Sequence, residues 1–592
     1  MNPSPRYARV GHTLLPWLAL LPACFTGILT LRCAVDLPYA DELSLVALFE
    51  KAAHGALTFH DLFAQQNEYR QFFPNLLIVT LGRLTRWDVR YEMLVSFLLA
   101  CLVSFNLYHL GRLTVGDSRG PRLSLYLGAN LLIFSTMQGE NWLQGQQLIY
   151  FIAVACVTTC LLLAQCARLG TGSKFLLCGA LAVVSSFSSA NGLLCWLVAL
   201  PPLALPAWRQ ERARGRLWGV GWLAGLALCA AVYFYDYRKP APHPALTEAL
   251  SHPARAVVYL LASLGRPLAF GLVSASCVGA ALLCLFAWSG WQFARAGARA
   301  PHRARPMLGW LMLGAYSLLT AALLTVGRLG YGVEQALAPR YTTFTLYLPV
   351  ALIHLLPLAL GARAAPGRAA ARGRVVPLLV AALIAVHLPI YVLGIRHMGV
   401  LRNTLLQLKG CVLLVNIAPD PCLTRLAPDV DSLRRDFNAL DRLGYLRPGL
   451  LRSAQTREFA APDARAPEVY GSFSALDRTA DGGYTAAGSA VLPDRGDAAD
   501  VVLLAYEQPA GEATVFAVAE TAAGRDFVSA LLGRGQYGDA RWRRTFPAAA
   551  LPRGPLALSA WAFDARTGRA YRLAGTQRID WPPAPGRPPR TP

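Results

Sequence analysis

The chain has 592 residues, 55% of them hydrophobic and only 15% charged, with a formal net charge of +22 at pH 7. Apolar runs of about 20 residues recur through the first two thirds, which all but excludes a soluble enzyme and makes a polytopic α-helical membrane protein the expected class. The surplus of Lys and Arg falls in short loops between those runs, as basic loops on the cytoplasmic side do, so the charge does not mark a nucleic-acid-binding protein.

Residues 1 to 10 are short and basic, and Leu14 to Leu31 reads as a first span from cytoplasm to exterior, without a small-residue cleavage site. Asp36 to Pro74 follows and concentrates Asp36, Asp41, Glu42, Glu50, Asp61 and Glu68 in a chain otherwise poor in charge. Between Ser44 and Ala56 apolar residues recur at helical spacing with Lys51 and His54 among them, which suits amphipathic helices on a membrane surface. Asp41 and Glu42 sit where such a helix begins, a favourable place for carboxylates; a capping role alone is the plainer alternative.

Phe72 to Leu84 is too short to span upright. Met93 to Leu110 is a clearer span, and Arg112, Arg119 and Arg122 precede the next, Leu123 to Phe134. STMQGENWLQGQQ, Ser135 to Gln147, is an outside loop leading into Leu148 to Ala167, and Arg168 and Lys174 mark the return. Phe175 to Leu205 reads as two short helices meeting outside at Asn191 and Gly192. Further spans are expected at Leu217 to Phe234, Ala269 to Trp288, Met307 to Val326, Leu346 to Leu360 and Val375 to Val392, with an apolar patch at Val257 to Leu264. About eleven spans result, which put the amino terminus inside and the carboxyl region outside. The inside loops so assigned hold Arg209, Arg212, Arg214, Arg216, Arg295, Arg299, Arg303 and Arg305 among others, against Asp117 and Glu211.

Beyond Arg396 the pattern changes. Asp429 to Leu443 reads as a soluble helix with Leu433, Phe437 and Leu440 on one stripe. From Val469 come short β-prone runs such as GYTAAGSAVL and ATVFAVAE between Gly, Pro and Asp turns, which suggest a small antiparallel β-sandwich. The expected organisation is a membrane catalytic domain over 1–395 with its first outside loop at about 32–74, a helical linker over 396–465, a β-rich domain over 466–580 and a proline-rich tail over 581–592. Cys411 and Cys422, with ten residues between them in the linker, would close a disulfide on an oxidising side; two separate thiols are the alternative.

The polar residues expected outside come from distant parts of the chain but one side of the bilayer, which points to a single extracytoplasmic centre. A carboxylate there can act as general base or hold a divalent cation. Asp41 is the first candidate, with Glu42 beside it and Glu140 as a second carboxylate; adjacent side chains diverge on a helix, so Asp41 and Glu42 would not share one task. Arg328 and Arg340 bracket GRLGYGVEQALAPRY and offer planar donor forks suited to phosphate. Snorkelling, or a salt bridge to Glu334, is the plainer reading of each. Arg266 in SLGRPL is a weaker version of the same signal. His54, Asn67, Glu68, Tyr69, Arg70, Asn141, Trp142 and Tyr341 are candidates for sugar or acceptor contacts, although the aromatic residues suit interfacial anchoring equally well.

An acidic pair in the first outside loop, YADE at Tyr39 to Glu42, followed by surface helices and many spans, resembles the integral-membrane glycosyltransferases of the GT-C class. That class includes protein mannosyltransferases, lipid A aminoarabinose transferases and oligosaccharyltransferases. The resemblance covers roughly residues 10 to 395. It implies a polyprenyl-phosphate-linked sugar as donor and a catalytic acid at Asp41, or Glu42 in its place. No WWD-type motif or KPP-type segment is found, so glycan, lipid and protein all stay open as acceptors, and Mg2+ or Mn2+ near Asp41 and Glu42 stays open as a cofactor. The expected reaction is inverting sugar transfer at the outer face of a bacterial inner membrane, with the carboxyl region in the periplasm. A polysaccharide polymerase or ligase using polyprenyl-diphosphate donors is the alternative, and a lipid or sugar transporter is a third reading.

Overall fold

The computed structural model describes residues 5–115, 119–210, 212–241, 243–299, 301–363, 369–418, 420–507, 512–521 and 540–581. The tail beyond Trp581, Asp117 and Glu211 lie outside the described residues. The chain divides into two units: Met1–Ala34 with Leu57–Thr80 and Arg90–Gly394, and Val35–Ala56 with Leu81–Val89 and Ile395–Pro592.

The first unit is helical. Among the described residues seven helices are long and apolar enough to cross a membrane: Arg90–Thr114, Gly145–Gln165, Gly215–Phe234, Leu272–Ala298, Ala304–Tyr331, Pro339–Leu360 and Val375–Leu413, the last continuing into the second unit. The expectation of eleven spans is corrected to these seven. The first apolar run lies in a 29-residue helix, Pro5–Cys33, whose part from Trp17 is apolar; Phe72–Thr85, Thr171–Ser186 and Ala190–Leu205 are shorter apolar helices, and the expected third span is a 15-residue helix, Arg119–Ile133. Apolar composition identifies such helices, but a length near 20 residues is what crossing needs, and those from Phe72 onward fall short of it.

Gly145–Gln165 has 83% of its apolar window buried against 22% for Leu272–Ala298, which leaves side chains such as Val273 exposed, as a lipid-facing helix does. Buried polar side chains cross-link the helices. Asn130 donates to the Ala19 carbonyl at 2.7 Å and accepts from Ser104 at 2.6 Å, and Asn106 donates to Thr159 at 2.9 Å. Such pairing is needed where water is absent. The two short helices between Thr171 and Gln210 meet at Ala190–Leu193, where Asn191 donates to the Tyr316 hydroxyl at 2.9 Å. A Cβ at Gly192 would collide with the Ser185 carbonyl, so only glycine allows that turn.

In the second unit the acidic segment folds as a 3-10 turn, Ala40–Leu45, and a helix, Val46–Ala53. The apolar side of that helix is buried within the unit, with Phe49 against Trp87 and Tyr445 at ring separations of 4.2 and 5.3 Å. Gly82 allows this, since a Cβ there would collide with the Phe49 ring. Cys411 and Cys422 are disulfide-bonded with Cα atoms 5.9 Å apart. The helix Val430–Arg442 follows, with Leu433, Phe437 and Leu440 buried.

The strands form one sheet, not a sandwich. The first hairpin of the chain, β1 (Gln65–Gln66) and β2 (Tyr69–Arg70), belongs to the helical unit. The second unit holds β3 (Gly471–Arg478), β4 (Tyr484–Leu492), β5 (Asp497–Ala498), β6 (Val501–Glu507), β7 (Ala513–Thr521), β8 (Arg541–Phe546), β9 (Gly554–Asp564), β10 (Arg569–Arg572) and β11 (Gln577–Trp581). Hydrogen bonding runs continuously in the order β10-β9-β6-β7-β8-β4-β3, with β11 also on β9 and β5 on β4. The sheet curls into a half-barrel until its edges approach: the Phe473 amide donates to the Ala574 carbonyl at 2.7 Å and the Ala574 amide to the Gly471 carbonyl at 3.0 Å. The curl encloses Phe473, Trp542, Phe546, Leu504 and Ile579, so one sheet supplies both walls of the core that two were expected to supply.

Arg495 pins one end of this sheet. It donates to Asp500 at 2.7 and 2.9 Å and to Asp564 at 2.6 Å, and its side chain is 12% exposed. An Arg495→Met protein leaves both carboxylates without their cation. It is expected to lose about 3 kcal/mol of stability in this unit, read as a lower unfolding temperature of the purified full chain, with Asp500→Asn/Asp564→Asn in the same background recovering part of the loss.

Candidate functional site

Thr58 and Asp61 cap the helix Phe59–Phe63 reciprocally: the Thr58 amide donates to the Asp61 carboxylate at 2.9 Å and the Asp61 amide to the Thr58 hydroxyl at 3.3 Å. The β1–β2 hairpin then turns at Asn67, whose φ of 53° lies in the left-handed region that Asn tolerates. Arg70 anchors it. Its Nε donates to the Tyr233 carbonyl at 2.7 Å, its Nη1 to the Phe63 carbonyl at 3.3 Å and its Nη2 to the Tyr235 carbonyl, so a buried guanidinium caps the end of the helix Arg212–Phe234. The Tyr233 hydroxyl donates back to the Glu68 carbonyl at 2.8 Å.

So held, the hairpin presents Glu68 and Tyr69. The Glu68 carboxylate pairs with Arg328, and His243 Nε2 lies 3.4 Å from its other oxygen. Burial, with Lys239 nearby, keeps His243 below the usual imidazole pKa, so near neutral pH the Glu68 charge is met by Arg328. The Tyr69 hydroxyl is hydrogen-bonded to Tyr150; burial first, then Tyr150, Tyr341 and Tyr233, hold it protonated far above the usual tyrosine range.

The second arginine is built by a clamp between two short helices, Gly139–Leu143 and Pro339–Thr345. Asn141 Nδ2 donates to the Arg340 carbonyl at 3.0 Å and to the Thr343 hydroxyl, which in turn donates to Gln138; Gln138 Nε2 donates to the Ile133 carbonyl at 2.6 Å. This chain of bonds brings Glu140 Oε1 to 3.3 Å from Arg340 Nη1, with the arginine side chain 36% and the glutamate 25% exposed. Arg340 also lies 5.3 Å from the ring of Tyr341. Neither arginine takes Glu334 as partner: Arg328 has Glu68 and Arg340 has Glu140.

Other candidates have different positions. Trp142 is fully buried, donates to the Ser135 carbonyl at 3.1 Å and packs on Phe151, so it is a core residue. Arg266 donates from Nε to the Leu337 carbonyl at 2.7 Å and from Nη1 to the Ala269 carbonyl at 3.2 Å and the Met137 sulfur at 2.7 Å, stitching three segments together. Asp41, Glu42 and His54 belong to the second unit. Asp41 is exposed, whereas Glu42 is buried and accepts from the Tyr39 amide at 3.0 Å. His54 closes the helix Val46–Ala53, its Nδ1 2.7 Å from the Glu50 carbonyl. Among the described residues no group of three or more His, Cys, Asp or Glu that could hold a metal ion gathers, and Glu42 accepts from the Tyr39 amide through one of its two carboxylate oxygens.

No family model matches the chain, and no curated protein matches it. Among solved structures, the crystal structure of ArnT from Cupriavidus metallidurans bound to undecaprenyl phosphate is similar, at 14% identity and a TM-score of 0.33, over 72% of this chain and 76% of that one. So loose an overlap carries no residue from one chain to the other.

Tyr150, Gln138, Thr343, Tyr233 and His243 are absent from the sequence-based candidates. Tyr150 lies in an apolar run read only as a span, and the tertiary clamp has no local signature; the hydroxyls of PRYTTFT are the one visible hint. Asn141→Leu is expected to separate the two short helices and cost about 2 kcal/mol, seen as a lower unfolding temperature in detergent, whereas Glu140→Gln, which keeps the clamp, is expected to leave that temperature within a degree or two.

Proposed function

We propose that the protein transfers one sugar, with inversion, from a polyprenyl-phosphate-linked donor to an acceptor at the outer face of a bacterial inner membrane. The observation that carries this reading is Arg340, a partly exposed guanidinium beside Glu140 and the Tyr341 ring, at the head of a helix of span length. Lipid-phosphate recognition asks for such a group: a planar cation at the end of apolar helices, held by a partner that a phosphate can replace. The YADE resemblance to GT-C glycosyltransferases supports the same reading.

In this reaction an acceptor hydroxyl or amine attacks the anomeric carbon, the bond from that carbon to the phosphate oxygen breaks, and polyprenyl phosphate leaves with the electron pair. Arg340 stabilises the charge that grows on the leaving phosphate, and Arg328, similarly paired with Glu68, is the second candidate for the same task. The acceptor proton goes to a carboxylate. Asp41 is the first choice because its side chain is exposed, while Glu42 is engaged as a cap. Arginine meets the phosphate charge. One displacement with one base inverts the anomeric centre.

The test is sugar transfer by the purified chain in lipid, with polyprenyl-phosphate sugars as donors and envelope glycan, lipid and protein fractions as acceptors. Arg340→Ala is expected to lower turnover at least 100-fold, about 3 kcal/mol of transition-state stabilisation, with Arg340→Lys intermediate. Asp41→Asn is expected to lower it by a factor of about 100 or more while donor binding persists. Full turnover by a folded Asp41→Asn protein would move the base elsewhere. Failure of the wild-type chain to bind or turn over any polyprenyl-phosphate lipid would remove the reading.

A further inference from the structure

Strands β3, β4 and β8 bury Phe473, Ala486, Ala490, Trp542 and Phe546 in the core of the curled sheet, and alternation turns the residues between them to the opposite face. On that face the register sets Ser472 opposite Ser489 and Ser489 opposite Arg541, one row across three strands. The Ser472 and Ser489 hydroxyls are 3.3 Å apart. The next row sets Ala487 opposite Arg543, and a register shift after Phe473 brings in Ser474, whose hydroxyl donates to the Ala487 carbonyl at 3.3 Å. On the neighbouring strand, β7, Glu520 lies opposite Arg543 and pairs with Arg425 at 2.7 Å. Arg541 and Arg543 are both exposed.

These residues line a cleft of about 760 Å³ that lies wholly within the second unit, together with Thr404, Gln407 and Thr521. Gln407 is held by its donation to the Thr521 carbonyl at 3.0 Å. Small-molecule sites commonly measure about 300–1,000 Å³, so the cleft has room for a ligand of several rings. Gly488 and Trp542 also line it. A Cβ at Gly488 would collide with the Ser472 carbonyl and come within 3.0 Å of Trp542 Cε2, the ring carbon bonded to Nε1. Trp542 is 2% exposed and its Nε1 has no hydrogen-bond partner, so a buried donor lies at the floor of the cleft where the strand above it carries no side chain. Ala487 and the buried Trp542 are the apolar side chains of the lining, which offers neither pockets for apolar peptide anchors nor an open aromatic face for a base. Hydroxyls, one amide and three arginines make up the rest, with Glu520 as the acid among them.

We propose that this cleft binds an acidic saccharide, a polyhydroxylated chain bearing carboxylate or phosphate, with Arg541 and Arg543 meeting the anion and Ser472, Ser474 and Ser489 meeting ring hydroxyls. Serine hydroxyls both donate and accept, as sugar hydroxyls do, and the guanidinium forks suit either anion. Glu520 sits opposite Arg543 and on Arg425, so its carboxylate competes with the ligand's anion for the same cations. The site shares no residue with the donor reading and stands or falls apart from it.

The full chain in lipid nanodiscs would be titrated with a galacturonic acid oligosaccharide, its carboxyl-reduced neutral counterpart, a phosphomannose oligosaccharide and inorganic phosphate, using wild type, Arg541→Gln/Arg543→Gln and Glu520→Gln. Wild type is expected to bind one of the two acidic saccharides at least tenfold more tightly than the neutral one, and the tighter of the two names the anion. The double arginine variant is expected to lose about tenfold or more of that affinity while unfolding at the wild-type temperature. Glu520→Gln is expected to bind the same saccharide about threefold more tightly, a gain that a structural role for the Arg425 pair would not give. Equal affinity for acidic and neutral saccharides, unchanged affinity in the double variant, or no saccharide binding by wild type would each overturn the proposal. Inorganic phosphate bound as tightly as the saccharides would reduce the cleft to an anion site and overturn it as well. Arg340→Ala is expected to leave saccharide binding unchanged, which separates this cleft from the donor site.

Discussion

A cation beside a membrane must find a partner within the protein, and the kind of partner decides what it can do. Four arginines of the helical unit show the difference. Arg70 and Arg266 are engaged by backbone carbonyls, which are fixed in the fold and cannot leave. Arg328 and Arg340 are paired with the carboxylates of Glu68 and Glu140, side chains that can rotate away when a stronger anion arrives. The first two therefore set geometry, and it is around the second two that the phosphate site is proposed.

Exchangeability depends on the rest of the clamp staying still. If the bonds from Asn141 to the Arg340 carbonyl and from Thr343 to Gln138 were lost, Glu140 and Arg340 would have no reason to meet across 200 residues of chain. These bonds lie in a buried setting, where an unmade hydrogen bond is costly, and so they position the pair more firmly than the pair could position itself. Arg266 extends the same frame, linking Leu337, Met137 and Ala269. Tyr69 enters from the hairpin that Arg70 fixes, through its bond to Tyr150.

Composition and hydropathy made the helical membrane class legible, and the short helices that meet at Asn191 and Gly192 could be read from the length of one apolar stretch. Span number was less legible, because runs such as Thr171–Ser186 have the composition of a span without its length. In the carboxyl region alternation showed strands, but alternation is the same whether an inner face meets a second sheet or the far side of its own curl. What decides is pairing: β9 bonds β6 on one side and β10 and β11 on the other, which closes the core with one sheet. At the site, Arg340 and Glu140 could be placed on one side of the bilayer, whereas their pairing could not be read, since Asn141, Thr343 and Gln138 look like ordinary loop residues until tertiary packing brings them together.

The acidic pair shows how adjacency in sequence separates in chemistry. Asp41 and Glu42 look interchangeable in YADE, yet the 3-10 turn that begins at Ala40 sends one carboxylate to water and the other back to the Tyr39 amide. A carboxylate that caps a turn is held by the amide it caps and is not free to swing toward a second partner. The exposed neighbour carries no such duty in the turn, and on that ground Asp41 rather than Glu42 is the carboxylate proposed to take the acceptor proton.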